Sequence, residues 1–194
     1  MEKQTHAADK TKRALAAALK ELMAQYPMSR ITIRDLTDRC GIRRQNFYYH
    51  FTDVYDLMRW MFEEEAVSLL RQREGVLLWQ DGLLQLFRYL EENRAVCVCA
   101  LRSVGREHLK AMFEGEVYDI IHRTVEQIGR QMGVACDADT ELLTQVYVAA
   151  LSGTAEKWLL GQVDHTPEEL IAFADRMLQD HIRGAQLRLG QSNE

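Results

Sequence analysis

Apolar side chains along the first part of the chain recur at the three- and four-residue spacing of amphipathic helices. Leu15, Leu19, Leu22 and Tyr26 form one stripe and predict a helix over residues 9–26, with Lys10, Lys12, Arg13 and Lys20 on its other face and Pro27 at its end. Residues 1–8 precede that stripe and read as a loose arm. Ile33, Leu36 and Cys40 mark a second, short helix. Thr32 stands at its N-cap and Asp35 three residues on, the capping-box spacing with Asp in place of the usual Glu. Gly41 follows, where a left-handed backbone ends a helix at little cost, and Ile42 supplies an apolar plug. A third helix then runs from residue 43 or 44 to 50. Tyr55, Leu57, Met58, Met61, Phe62, Leu69 and Leu70 give a fourth helix a broad apolar face, from after Asp53 to about Arg73.

Beyond residue 76 the pattern stays helical. Helices are predicted over about 80–93, 95–103, 106–132, 138–161 and 167–187, with Gly75, Gly105, Gly133 and Gly161 at or near the breaks. Thr166-Pro167-Glu168-Glu169 is a strong helix start, with Thr as cap, Pro first and Glu third. Only two prolines occur, Pro27 and Pro167, both at helix boundaries, which favours an all-α chain. Its organisation reads as a three-helix head over residues 1–53 and a helical body over 54–194. In the last two helices Leu143, Tyr147, Ala150, Thr154 and Trp158 run down one side, beside a small-residue strip of Val146, Ala149 and Gly153. Leu170, Phe173, Ala174, Met177 and Leu178 line the other helix. Two such helices from each of two chains build a four-helix bundle, or the same faces complete a monomer core. The dimer reading puts Val146, Ala149, Ala150, Gly153, Thr154, Phe173, Ala174 and Met177 at the interface.

Charge changes the picture of the head. The whole chain carries −5, which by itself speaks against nucleic acid, but residues 1–60 hold eleven Lys and Arg against seven Asp and Glu, while the remainder holds thirteen against twenty-two. A basic head on an acidic body fits a DNA reader with a separate regulatory part. The third helix presents Arg, Gln, Asn, Tyr and His with no carboxylate until Asp53. Arg bridges guanine O6 and N7, Asn and Gln bridge adenine N6 and N7, and Tyr and His reach phosphate and sugar. Thr32, Arg34, Arg43, Arg44, Gln45, Asn46, Tyr48, Tyr49 and His50 are therefore the DNA-contact candidates, the plain alternative being a solvated helix.

In the body, Phe87, Met112, Phe113, Tyr118, His122, Tyr147 and Trp158 are candidates to line an effector pocket between helices, with ordinary core as the alternative. Cys97 and Cys99 point apart on a helix, so they read as small buried hydrophobes, with a redox role as the alternative; the four cysteines, Cys40 and Cys136 included, lack a secreted framework. The six His show no metal-ligand spacing, so no metal or other cofactor is expected. No phosphate loop, His-Glu-x-x-His helix, Gly-x-Ser-x-Gly elbow or Cys-x-x-Cys pair suggests an enzyme, and no catalytic residue is expected. No apolar run reaches membrane length and no leader peptide is visible, so a cytoplasmic location is expected.

The stretch TIRDLTDRCGIRRQNFYYHFTDVYDLM resembles the DNA-binding segment of TetR-family transcriptional regulators. The likeness rests on Gly41-Ile42, the polar run Arg44 to Asn46, Tyr48, His50, Phe51, Asp53 and Leu57, and covers roughly residues 9–60. Val54 stands where the family commonly has Lys, which puts one phosphate contact in doubt. The resemblance implies an all-α, TetR-like fold with an N-terminal helix-turn-helix DNA-binding domain and a C-terminal helical effector and dimerisation domain. It implies a homodimer on a near-palindromic double-stranded operator, switched by a small-molecule effector or a protein co-regulator, with repression the commoner sign and the fourth helix as transmission element. Residues 150–170, ALSGTAEKWLLGQVDHTPEEL, are similar to a subgroup that includes dihydroxyacetone-kinase operon regulators, some of them activators signalled by a protein partner.

Overall fold

The computed structural model describes residues 2–71, 79–131 and 138–191, and among these every regular element is helical. Gly75, Gly133 and Cys136, as well as the expected ends at Arg73 and Met132, lie outside the described residues. The chain forms two compact units, Met1–Ser68 with Asn93–Ala111, and Leu69–Glu92 with Met112–Glu194.

The first unit is built around α1 (Glu2–Met23). Residues 2–8 continue this helix rather than forming a loose arm, in a stretch that holds no Gly or Pro to stop it. Leu15, Leu19 and Leu22 are buried as the stripe requires, whereas Tyr26 lies beyond the helix and is exposed. A short 3-10 turn (Met28–Arg30) leads to α2 (Ile33–Cys40), α3 (Arg44–His50) and α4 (Val54–Phe62). The capping box is present: the Asp35 N–H donates to Thr32 Oγ1 at 3.2 Å and the Thr32 N–H donates to the Asp35 carboxylate at 2.9 Å. Gly41 adopts φ 63°, and the Ile42 N–H donates back to the Thr37 carbonyl at 3.0 Å, closing the helix end. α4 is capped by Asp53, whose carboxylate accepts the Asp56 N–H at 2.8 Å.

The first unit runs past the expected boundary at 53/54. Leu57, Met58, Met61 and Phe62 on α4 are essentially inaccessible and complete the core around α1. The helical run then passes through a π-helical turn (Glu63–Val67), in which the Ser68 N–H reaches the Glu63 carbonyl, into α5 (Ser68–Arg71). Lys20 on α1 pairs with Glu65 in that turn. The unit also takes in α7 (Arg94–Leu101), which packs on α1 with Val96, Cys97 and Ala100 buried. The loop after it presses on α4, since a Cβ on Gly105 would fall 2.9 Å from Met58 Cε and 3.1 Å from Tyr55 Cδ1.

The second unit contains α6 (Trp79–Glu92), most of α8 (Arg106–Gln131), α9 (Ala138–Leu159) and α10 (Pro167–Gln191). The Thr166 start of α10 is a second capping box, with the Glu169 N–H donating to Thr166 Oγ1 at 3.2 Å and the Thr166 N–H to the Glu169 carboxylate at 3.0 Å. Leu83, Leu86, Phe87, Ile121, Val148, Trp158 and Ile171 form its core. α6 and α10 are tied by Arg88 to Glu168 at 2.8 Å and by Gln80 donating to Asp175 at 3.0 Å. No helix among the described residues is long and apolar enough to cross a membrane.

Candidate functional site

Two helices joined by three residues, Gly41 to Arg43, carry the polar surface that the charge pattern singled out. Phe47 on α3 is completely buried and packs edge-on to Tyr48 and tilted against Phe51, with centroids 5.8 and 5.9 Å apart. Phe51 in turn meets Trp60 on α4 at 5.7 Å, and the Lys12 ammonium lies over that indole at 5.6 Å. One buried ring thus pins α3 on its inner face. Its other face is left to solvent: Arg44, Gln45 and Asn46 are exposed together with Arg43 before them, Tyr48 is 55% exposed and Tyr49 82%. Among the described residues neither Arg43 nor Arg44 has an ion-pair partner, so both guanidinium groups are available to an incoming anion or base edge.

The remaining candidates differ in readiness. Arg34 is exposed and only loosely held by Asp38 at 3.4 Å. The Thr32 hydroxyl is occupied by the capping box and already donates to Asp35 at 2.6 Å. The same hydroxyl and the Thr32 backbone hold the Asp35 carboxyl below its usual range. His50 is half-buried, and burial together with the Lys12 charge lowers its pKa, so at neutral pH it is an uncharged hydrogen-bonding ring. Val54, at the position where a lysine would contact phosphate, is buried. Phe47 was missed in the sequence, although its place amid exposed neighbours in RRQNFYYHF was the available signal.

In the second unit an apolar cavity of about 100 Å3 lies between α6, α8, α9 and α10. Of the seven pocket candidates, Phe87 and Tyr147 line it. Trp158 packs behind Phe87 at 5.4 Å and donates its indole N–H to the His165 carbonyl at 2.7 Å. Met112, Phe113, Tyr118 and His122 lie outside the wall. Tyr118 and His122 stack at 5.3 Å beside α9, with the Tyr118 hydroxyl donating to Glu141, so that pair forms a helix-to-helix polar contact. The wall instead takes in Ala150, Thr154, Phe173, Ala174 and Met177, all read from the sequence as interface residues. Val146 is 56% exposed and Ala149 is exposed, and a Cβ on Gly153 would meet nothing within 4 Å, so the small-residue strip is open in the single chain. In the first unit, burial pushes the Cys97 thiol up to about 12, far from a reactive thiolate.

The chain matches two described families. Residues 14–59 match "Bacterial regulatory proteins, tetR family" and residues 78–180 match "Transcriptional regulator C-terminal region". It is 36% identical over 84 residues to the HTH-type dhaKLM operon transcriptional activator DhaS of Lactococcus lactis subsp. lactis (strain IL1403). That alignment covers 43% of this chain and 45% of that protein, so the chain spans less than half of that relative. Among solved structures, the dihydroxyacetone kinase operon activator DhaS superposes with a TM-score of 0.73 at 23% identity, covering 89% of this chain and 96% of that one. NalD of Pseudomonas aeruginosa, the secondary repressor of the MexAB-OprM multidrug efflux pump, superposes with a TM-score of 0.64 at 14% identity, covering 93% and 96%. At these identities the two structures speak for the shared fold.

Proposed function

The chain belongs to the TetR family of bacterial transcriptional regulators, and from that premise we propose that it acts as a homodimer on a near-palindromic double-stranded operator, as a repressor released when an effector occupies the second unit. It is a regulator and not an enzyme. The observation that carries the reading is the unpaired, exposed Arg43-Arg44-Gln45-Asn46 run on a helix anchored by Phe47. One such short helix touches a few base pairs, and two related by a two-fold axis multiply the discrimination. Arg44 reads a guanine edge, Gln45 and Asn46 read adenine, and Tyr48 and Arg34 hold phosphates. The work is done in the cytoplasm, where the operator is.

The test is a titration of the full chain against labelled DNA from around its own coding region at several salt concentrations. Log affinity falls with log salt at about −0.9 per phosphate contact. Arg44→Ala lowers affinity for the preferred site by about 5- to 150-fold and relaxes its sequence preference. Tyr48→Ala weakens binding to every sequence alike. Unchanged affinity in both variants overturns the reading. A second reading, favoured by the 36%-identical relative's description as an operon transcriptional activator, is an activator controlled by a protein partner. Reporter transcription that falls when the chain is removed, with a partner recovered on the purified chain, selects it over repression.

A further inference from the structure

The cavity in the second unit has a definite chemical character. Its volume of about 100 Å3 is on the scale of the ~150 Å3 engineered cavities that hold benzene. No charged side chain lines it. A carboxylate, phosphate or ammonium would lose its hydration there and find no counter-charge. Three hydroxyls reach the wall, those of Thr124, Tyr147 and Thr154. Thr124 donates to the Ile120 carbonyl at 2.9 Å, and Tyr147 shares a hydrogen bond with His181 Nδ1 at 2.8 Å. Among the described residues none hydrogen-bonds the Thr154 hydroxyl. A polyol would therefore bury hydroxyls without partners, each at a cost, whereas a molecule with one polar group can be satisfied.

We propose that this cavity takes a compact uncharged molecule, the size of a single ring, with one hydroxyl or carbonyl that bonds Thr154. The assignment rests on the reading that the second unit senses an effector. Phe173 and Met177, 56% and 46% exposed, stand at the open side of the wall, so an occupant touches the face through which two chains are expected to pair.

The probes are phenol, benzene, benzoate and glycerol, titrated calorimetrically into the full chain and into Thr154→Val, which keeps the side-chain volume and loses the hydroxyl. Phenol and benzene bind, benzoate and glycerol do not, and Thr154→Val weakens phenol by about tenfold while leaving benzene unchanged. The assignment is overturned if no probe binds, which would mean that a second copy of the chain closes the groove, if benzoate or glycerol binds as well as phenol, or if Thr154→Val weakens phenol and benzene alike. DNA affinity measured with saturating phenol separates the two levels. Phenol bound as described with DNA affinity unmoved keeps the cavity chemistry and removes the sensing reading. Intact DNA binding with no probe bound removes the cavity chemistry and leaves the regulator reading standing. If Thr154→Val alters the circular dichroism spectrum, Ala174→Phe, which narrows the cavity, carries the test, and undiminished phenol binding in it overturns the assignment.

Discussion

The α2–α3 pair and the α9–α10 pair are built on opposite plans. In the first, short helices are capped by side chains, the apolar groups Leu36 and Phe47 are wholly buried, and what remains outside is cationic and polar. In the second, long helices bury Thr144 and Trp158 but leave Leu142, Val146, Phe173 and Met177 in water. A surface that finishes its own core and shows hydrogen-bonding groups is ready for a polar partner. One that leaves contiguous apolar groups outside is ready for another apolar surface. The contrast explains how one acidic chain serves two kinds of recognition.

The strongest way to break the contrast is from inside the head. Phe47→Ala removes the ring that pins α3 and costs about 3–5 kcal/mol of stability, read as a lower denaturation midpoint with loss of DNA binding. Next, Val146→Asp puts a charge on the open strip of α9. Because Val146 is already exposed in the single chain, its fold should persist while the dimer weakens by about 3 kcal/mol or more, seen in sedimentation as a shift to monomer. Thr32→Ala removes one half of the α2 cap and should cost about 1 kcal/mol of thermal stability. The smallest effect belongs to His50. Its folded pKa lies below 6.5, so the unfolded chain takes up the proton first. Stability is therefore full above that value and declines as pH falls below it. His50→Gln should flatten that decline by less than the cap contributes, measured as the pH dependence of the denaturation midpoint.

Much of the head was legible because its signals are local. Thr32, Asp35 and Gly41 act within one helical turn, and the structure gives α3 the expected extent. The boundary between the units was not legible, because it depends on α7 packing against α1 and on Gly105 approaching Met58, contacts between segments far apart in sequence. The cavity was half legible for the same reason. Phe87 and Tyr147 advertise themselves as aromatics, but Ile121, Val125 and Thr154 become a wall only when α8, α9 and α10 meet. Tyr118 and His122 were plausible by type, yet their shared helix face turns to Glu141 and Thr144.

The π-helical turn at Glu63–Val67 has a consequence for the chain on either side of it. A helical turn that holds a surplus residue throws its side chains out of phase by about 100° with those of an unbroken helix. Leu57, Met61 and the residues of α5 therefore do not continue a single stripe, although their spacing reads as though they did. The phase error is a stored rotation. Removing one residue between Glu63 and Glu65 would restore the ordinary winding and turn everything downstream by roughly a quarter of a revolution about the helix axis.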